Sequence, residues 1–218
     1  MRFIFLILFT SMLFLSGCAS TQATRKPLYL SEDFNSQVQK SVIVVSLIDA
    51  RMDKKKDMQK LLSNKIMVSE HILNPLKRKG YAPQFINVDT SACGSLAEIN
   101  TINEMRHCLD TDLFNSGSLF LLMSIDQYVP PKGVNVNGYT KVTGVIYSCD
   151  TDYFIWKDSS EGYYDTINTI MYGFGGYAAK MMLRSMTPDF TFRSNAIGSI
   201  KELLDSVPPF SRRKRVGR

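Results

Sequence analysis

Residues 41–48 read Ser-Val-Ile-Val-Val-Ser-Leu-Ile, a run in which apolar, mostly β-branched side chains follow one another without alternation. A strand that is exposed on one face alternates apolar and polar residues, whereas a strand that is covered on both faces is apolar at nearly every position. The run therefore predicts a central strand of a sheet with both faces covered. A polar loop, residues 49–53, follows at the carboxyl end of this strand.

The residues after this loop alternate between helical and strand patterns. Apolar side chains recur at intervals of three and four from residue 57 onward, which predicts a helix that kinks at Pro75 or ends near residue 74. Gly80 is a suitable stop. A strand is predicted over 81–88, and Pro83 near its start suits the edge of a sheet.

The remaining pattern completes an α/β domain. The elements predicted here are a weaker helix over 95–109, an apolar strand over 119–129, a hairpin of strands 141–149 and 153–157, a polar turn over 158–162, and helices over 163–186 and 195–205. Glycines at 173, 175 and 176 indicate either a close helix contact or a break in the first of these two helices. Helical crossovers make the first three strands parallel, and the hairpin adds antiparallel strands. We therefore expect one three-layer α/β domain with a mixed sheet, in the order β-α-β-α-β-β-β-α-α, over residues 41–205.

The first residues have the pattern of a lipoprotein signal. Arg2 precedes an apolar stretch from Phe3 to Leu15, which is followed by Ser16-Gly17-Cys18. A stretch of about 13 residues is shorter than the roughly 20 that cross a bilayer as a helix, so a transmembrane anchor is disfavoured. We expect residues 1–17 to be cleaved and Cys18 to carry diacylglycerol and palmitate, with a structureless polar tether over 18–40. A plain secretory signal with a coincidental cysteine is the alternative.

The formal charge of +6 does not indicate a nucleic-acid partner. Of the 26 basic residues, one lies in the signal and five lie within residues 212–218, and the remaining 20 balance the 20 acidic residues. A folded body that binds nucleic acid carries a basic patch of its own. We therefore expect a disordered basic tail over 206–218, which is either a solvated end or an attraction to anionic lipid.

Three cysteines remain once Cys18 is assigned to lipid. Export places Cys93, Cys108 and Cys149 in an oxidising compartment, where thiols tend to pair. A Cys93–Cys108 disulfide would close a short loop and contribute roughly 3 kcal/mol on the chain-entropy model. Cys149 would then be a buried, apolar residue of a strand, although other pairings remain open.

Asp49, Arg51 and Asp53 are the candidate binding loop. Ligands of α/β sheets bind beyond the carboxyl ends of strands, and paired carboxylates can hold a cation or transfer protons. The competing interpretation is a solvated loop whose arginine pairs with its neighbours. His71 and His107 form neither a nucleophilic pair nor a zinc-ligand spacing with the cysteines. We therefore expect no catalytic residue, no metal and no cofactor.

These features resemble a group of envelope lipoproteins whose domain is similar to the amino-terminal domain of TolB. The group includes the curli secretion lipoprotein, penicillin-binding-protein activator lipoproteins and GNA-type lipoproteins. The segments that carry the resemblance are LSGC at 15–18, SVIVVSLID at 41–49, LNPLKRKGY at 73–81, LFLLMSIDQY at 119–128 and VTGVIYSCDTDYFIW at 142–156. The resemblance implies a binding or assembly role in the cell envelope, often as an oligomer or as partner of a larger machine, and no shared catalytic residues.

The combined expectation is a lipid-anchored, non-enzymatic binding or assembly factor with an envelope protein as partner. Ala19 after Cys18 differs from the aspartate that lipoprotein sorting reads as retention in the inner membrane, which favours the outer membrane facing the periplasm. The apolar, glycine-bearing segment 167–179 suggests a homo-oligomer. The alternatives are a pore-forming secretion lipoprotein, which needs alternating membrane hairpins, and an envelope hydrolase that uses Asp49, Asp53, His71 and His107.

Overall fold

The computed structural model describes residues 25–51, 65–99, 104, 119–130, 138–148, 153–163 and 188–210. The strands are β1 (Tyr29–Leu30), β2 (Ser41–Val45), β3 (Ile48–Asp49), β4 (Ala82–Ile86), β5 (Leu119–Val129), β6 (Tyr139–Ser148) and β7 (Tyr153–Tyr163). The helices are α1 (Phe34–Gln37), α2 (Lys65–Val68, Ser69–Leu73 and Asn74–Arg78 in succession) and α3 (Pro188–Asp205). The predicted α/β class is confirmed.

The strands of these ranges form one mixed sheet in the order β1-β7-β6-β5-β2-β4, with β3 beside β5. β2 runs parallel to β4 and to β5, whereas β5, β6 and β7 are antiparallel neighbours. The predicted parallel core and antiparallel hairpin are both confirmed. β4 lies at one edge of the sheet, which accommodates Pro83 as expected.

β2 is covered on both faces, as its unbroken apolar run predicts. Val44 packs in the larger core, which α2 and α3 form with one face of the sheet, and Val45 packs in the smaller core on the opposite face. The predicted single strand 41–48 is divided, however. The Ser46 hydroxyl accepts a hydrogen bond from the Val88 backbone N–H at 2.7 Å, at the point where pairing with β4 ends.

The larger core contains the bulkiest buried side chains, and each contributes on the order of 1.5–3 kcal/mol by leaving water. Trp156 and Phe192 are both fully buried in it. Segment 93–99 covers the opposite face with Leu96 and Ile99. The helix predicted over 95–109 does not begin at Ser95, because residues 96–98 form a turn. The remainder of that prediction, except Glu104, lies outside the described residues.

α2 does not end at Pro75 but continues to Arg78. Proline lacks an N–H and its ring crowds the carbonyl of the preceding turn. The turn immediately before it, Ser69–Leu73, is a π-helix, whose wider ring relieves this conflict. The chain leaves the helix at Gly80, whose φ of 91° belongs to the left-handed region, so the predicted stop is confirmed.

The polar turn predicted over 158–162 is wrong, because β7 continues through these residues to Tyr163. Two inward-facing positions among them, Ser160 and Gly162, find partners on α3. The Ser160 hydroxyl donates to Glu202 at 2.6 Å, and the Gly162 N–H donates to the Ser199 hydroxyl at 2.7 Å. Position 162 requires glycine, because a Cβ there would collide with the backbone of α3. The sequence did not predict this part of β7, because polar residues occupy positions that face the core.

The final helix begins at Pro188 rather than at residue 195. Proline is well suited to the first turn of a helix, where its missing N–H has no intrahelical partner. The predicted end at Asp205 is confirmed. The glycine-bearing helix predicted over 163–186 lies outside the described residues from 164 onward.

Both ends of the described chain are more ordered than the sequence predicts. Within the tether expected over 18–40, β1 pairs with β7, and α1 places Phe34 in the larger core at 2% exposure. A two-residue strand and a one-turn helix are too short to produce a periodic signal. At the other end Val207 is buried, and the Phe210 N–H donates to the Lys79 carbonyl at 2.8 Å. The fold therefore extends to residue 210, beyond the predicted boundary at 205.

Candidate functional site

The candidate loop after β3 contains a buried ion pair. Asp49 is 5% exposed and Arg51 is 7% exposed. The arginine Nε donates to Asp49 Oδ1 at 2.7 Å and its Nη2 donates to Oδ2 at 2.6 Å. Such a two-pronged contact occupies both carboxylate oxygens and fixes the two planes together. The third predicted residue, Asp53, lies outside the described residues.

Aromatic rings continue this contact towards α3. The Arg51 guanidinium lies 4.5 Å from the centre of the Phe192 ring, a distance at which a cation is attracted to an aromatic face. Phe192 in turn meets Tyr128 edge to face, with ring centres 4.9 Å apart. Asp49 and Arg51 therefore join the ends of β3 and β5 to α3. The arginine pairs with its neighbour, as the competing interpretation expects, but the pair is buried and not solvated. The binding role stays a prediction.

Sequence reasoning missed a second carboxylate centre, on the opposite face of the sheet. Asp126 lies at a bulge in β5, where the pairing with β6 shifts between Ile125 and Gln127. The hydroxyls of Ser124 and Thr143 each donate to it at 2.6 Å, and the Ser95 hydroxyl also donates. Bulges commonly redirect a side chain in this way. We call these four residues (Ser95, Ser124, Asp126 and Thr143) the hydroxyl cluster.

The hydroxyl cluster attaches segment 93–99 to the sheet. The Ser124 hydroxyl accepts the Leu96 N–H at 3.0 Å, and Lys157 Nζ donates to the carbonyl of Ile99 at 3.1 Å. Cys93, at the start of the segment, is buried and disulfide-bonded. Its predicted partner, Cys108, lies outside the described residues, so that pairing stays a prediction.

A third charged centre joins the N-terminal segment to β7 and α3. Asp158 is 1% exposed, and its Oδ1 lies 3.5 Å from Arg25 Nη2 and accepts the Leu28 N–H at 3.3 Å. Arg25 also donates to the Ser159 carbonyl and lies 3.6 Å from Glu202. Asp158 Oδ2 is buried without a hydrogen-bond partner, out of reach of a ligand in solvent. We call Arg25 with these partners the Arg25 contact.

The remaining sequence candidates contribute little to any of these centres. His71 Nε2 lies 3.9 Å from the Glu70 carboxylate on the partly exposed side of α2, and His107 is outside the described residues. Across the described ranges, no three His, Cys, Asp or Glu side chains converge closely enough to hold a metal ion. No helix in those same ranges has the length and apolar character needed to span a membrane.

Burial shifts the pKa of Lys79 and of Tyr81, which follow α2 in the chain and contact the segment at the end of α3. Partial burial lowers the pKa of Lys79, and the negative charge of Asp205 partly offsets this decrease. The Lys79 ammonium also donates a hydrogen bond to the backbone carbonyl of Asp205 at 2.8 Å. Burial raises the pKa of Tyr81, whose hydroxyl donates to the Pro208 carbonyl at 2.8 Å. Both groups hold the segment after α3 against α2, and neither is aimed at open solvent.

Comparison with known proteins gives structural likeness without sequence likeness. No protein-family model matches the chain, and no curated protein matches it in sequence. Structural neighbours are bacterial proteins. PelC from Paraburkholderia phytofirmans, described as a dodecamer, is 11% identical, with 78% of this chain and 89% of that one covered and a TM-score of 0.41.

Two further neighbours have similar values. Lipoprotein GNA1162 from Neisseria meningitidis is 12% identical, with 68% of this chain and all of that one covered and a TM-score of 0.36. The hypothetical protein CT253 from Chlamydia trachomatis is 13% identical, with 78% and 96% covered and a TM-score of 0.41. These similarities concern the fold alone.

Proposed function

We propose that this chain is a lipid-anchored protein of the bacterial cell envelope, on the periplasmic side of the outer membrane, where its α/β domain acts as a non-enzymatic binding or assembly factor. The observation that carries the proposal is the sequence Leu15-Ser16-Gly17-Cys18 after a short apolar stretch. Only a thiol at that position can accept the diacylglycerol on which such anchoring depends.

The Arg25 contact supports an anchored domain, because it fastens the chain to the sheet only seven residues after Cys18. A flexible chain of that length has a root-mean-square span of about 15 Å. The domain would therefore be held close to the membrane surface instead of exploring the periplasm on a long tether. A partner at or near the same surface is the kind that such an arrangement favours.

The hydrogen bonds of Asp49 and Asp126 support binding over catalysis at these two centres. A general base or a metal ligand needs a lone pair that the substrate or the cation can reach. Both oxygens of Asp49 are taken by Arg51, and both oxygens of Asp126 are taken by hydroxyls. These side chains hold segments of the fold together, which leaves the outer surface of the domain as the functional part under this proposal.

The anchor is tested by replacing the cysteine that would carry it. Cys18→Ala should move the protein from the membrane fraction to the soluble fraction of disrupted cells, whereas the matched variant Cys149→Ala should leave it with the membrane. Density-gradient separation of inner and outer membranes then tests the location. A Cys18→Ala protein that sediments with membranes as the unaltered protein does would overturn the proposal.

The binding role is tested by crosslinking in cells of the native source, followed by purification of the protein from membranes. We expect an envelope protein to be crosslinked to the unaltered chain. Self-association, suggested by segment 167–179 in the part of the chain that the structure does not describe, is tested by light scattering in detergent. A monomer at every concentration, with no crosslinked partner, would contradict an assembly role.

A further inference from the structure

The N-terminal edge of the sheet exposes a run of apolar side chains. Leu28 is 72% exposed, Tyr29 is 48% exposed and Leu30 is 42% exposed. Among the residues that the structure describes, these are three of the four large apolar side chains that are exposed to this degree, and they are consecutive. Single exposed apolar residues are common on protein surfaces, but a contiguous group indicates an interaction site. We call Leu28, Tyr29 and Leu30 the edge patch.

The edge patch is fixed in position on the folded domain. Tyr29 and Leu30 pair with Lys157 and Trp156 of β7, and the Arg25 contact holds the chain just before them. Alternate side chains of a strand point to opposite faces. Both faces of β1 are exposed nevertheless, because β1 is the outermost strand and is only two residues long. The patch is therefore a rigid apolar border and not part of a loose tail.

The length of the preceding chain determines what can reach this border. If Cys18 is anchored in lipid, the seven residue steps from Cys18 to Arg25 span at most about 25 Å when fully extended, and a flexible chain spans less. The opposite edge of the sheet, β4, is five strand spacings from β1 in the order of the sheet. At about 4.8 Å per spacing, that edge lies roughly 24 Å from β1 across the sheet. The edge that carries the patch is therefore the one joined to Cys18 by the shorter stretch of chain.

We propose that the edge patch contacts the surface of the bilayer in which Cys18 is anchored. This inference rests on the anchor of the proposed function and adds an orientation to it, with β1 facing the lipid. Leucine side chains suit the boundary between headgroups and acyl chains, and tyrosine, with an apolar ring and a polar hydroxyl, suits the headgroup level. Lys26, exposed two residues before the patch, would then lie near anionic headgroups.

The test places a tryptophan reporter at each edge of the sheet. Leu28→Trp puts one in the edge patch, and the matched control Gln84→Trp puts one at an exposed position of β4. Each mature, lipidated full-length variant is reconstituted into phosphatidylcholine–phosphatidylglycerol vesicles with and without brominated acyl chains. Bromine quenches indole fluorescence only at short range. The native Trp156 is fully buried and gives the same background in both variants.

We expect brominated lipid to reduce the emission of the Leu28→Trp reporter at least twofold more than that of the Gln84→Trp reporter. Circular dichroism verifies the fold of each variant, and flotation of the vesicles reports the anchor independently. A protein that floats without selective quenching at position 28 overturns the bilayer contact and leaves the anchor intact. A protein that neither floats with the vesicles nor is quenched overturns both the bilayer contact and the lipid anchor.

A second copy of the chain is the competing occupant of the edge patch. In that case the Leu28→Trp emission would shift to shorter wavelength as the protein density on unbrominated vesicles increases, with no selective quenching by brominated lipid. That result would overturn the bilayer contact. An emission independent of protein density, together with selective quenching, supports it.

Discussion

Asp49 and Asp126 lie on neighbouring strands, almost level with each other, yet the protein stabilises them in different ways. Asp49 of β3 pairs in register with Ile125, the residue before Asp126 on β5. Asp49 faces α3 and is bound by the guanidinium of Arg51, two residues further along the same loop. Asp126 is bound on the other side by hydroxyls from separate parts of the chain.

The difference shows that a carboxylate within the fold can be stabilised by a local cation, as at buried Asp49, or by several hydroxyl groups, as at half-buried Asp126. Removing one member of a buried ion pair leaves an uncompensated charge, which is among the most destabilising changes in a protein. A carboxylate bound by several hydroxyls loses only part of its stabilisation when one of them is removed. The helix face should therefore respond to single substitutions more strongly than the face covered by segment 93–99.

The largest effect is expected from Arg51→Met. The substitution keeps a long apolar side chain against Phe192 but leaves the Asp49 carboxylate buried without its cation, at a cost of about 3–5 kcal/mol in the free energy of unfolding. Urea unfolding measures this value. The double variant Asp49→Leu with Arg51→Met should recover most of the loss, since no charge is left unpaired. Equal losses in the single and double variants would contradict the ion-pair explanation.

Loss of the disulfide should be the next largest effect and should be confined to the opposite face. Cys93→Ala is expected to destabilise the protein by roughly 3 kcal/mol, because the unfolded chain gains freedom when the loop is no longer closed. Amide hydrogen exchange should increase over 93–99 and remain slow in α3. Cys108→Ala should reproduce the effect. If Cys149→Ala reproduces it instead, the predicted pairing is wrong.

A smaller effect is expected from Asp126→Ala, which leaves the hydroxyls of Ser124 and Thr143 without their acceptor. We expect a loss of about 1–3 kcal/mol, with faster exchange of the Leu96 amide as the local sign. Asp126→Asn should cost less, because the amide oxygen can still accept a hydrogen bond. A loss as large as that of Arg51→Met would show that the two centres do not differ in the way described.

The smallest effect concerns Asp89, which precedes segment 93–99 and is fully exposed. The backbone N–H of Ser91, and then its hydroxyl, donate to the Asp89 carboxylate and lower its pKa below the ordinary value. A lowered carboxyl pKa stabilises the folded state at pH values above the pKa that the carboxyl has in the unfolded chain. This contribution disappears as the pH falls through the folded-state pKa.

Ser91→Pro removes that N–H and should return the pKa of Asp89 towards its ordinary value, as measured by NMR titration of the carboxyl carbon. Ser91→Ala is the matched control, because it keeps the N–H and should retain most of the lowering. An unchanged pKa in the proline variant would exclude the backbone hydrogen bond as the main cause.

Much of the fold could be predicted from the sequence because its central strands are apolar on both faces. The apolar runs at 41–48 and 119–129 indicate strands, although the first divides into β2 and β3, and the helical spacing between strands implies parallel neighbours. The extension of β7 to Tyr163 could not be predicted, because Asp158 and Ser160 are polar at inward positions. Their partners, Arg25 and Glu202, are distant in sequence, so only the tertiary structure shows that these positions are satisfied.

The same principle separates the two carboxylate centres. The pairing of Asp49 with Arg51 could be weighed from sequence, since the residues lie two apart in one loop. The hydroxyl cluster could not, because Ser95 and Thr143 are brought to Asp126 by the fold. A local signal did exist, however: Ser124 and Asp126 are polar residues two apart in an otherwise apolar strand, and residues two apart share a face.

The position of β1 at the rim of the sheet has a mechanical consequence. A pull on the N-terminal end of the described chain first loads the Arg25 contact and then the two-residue pairing of β1 with β7. Both could give way while the five strands from β7 to β4 stay paired. The released segment, residues 25–30, would then lengthen the chain that precedes the domain by at most about 20 Å, while Phe34 of α1 stays in the larger core. Under tension the domain would therefore lose the pairing of β1 before any of the strands from β7 to β4 separate.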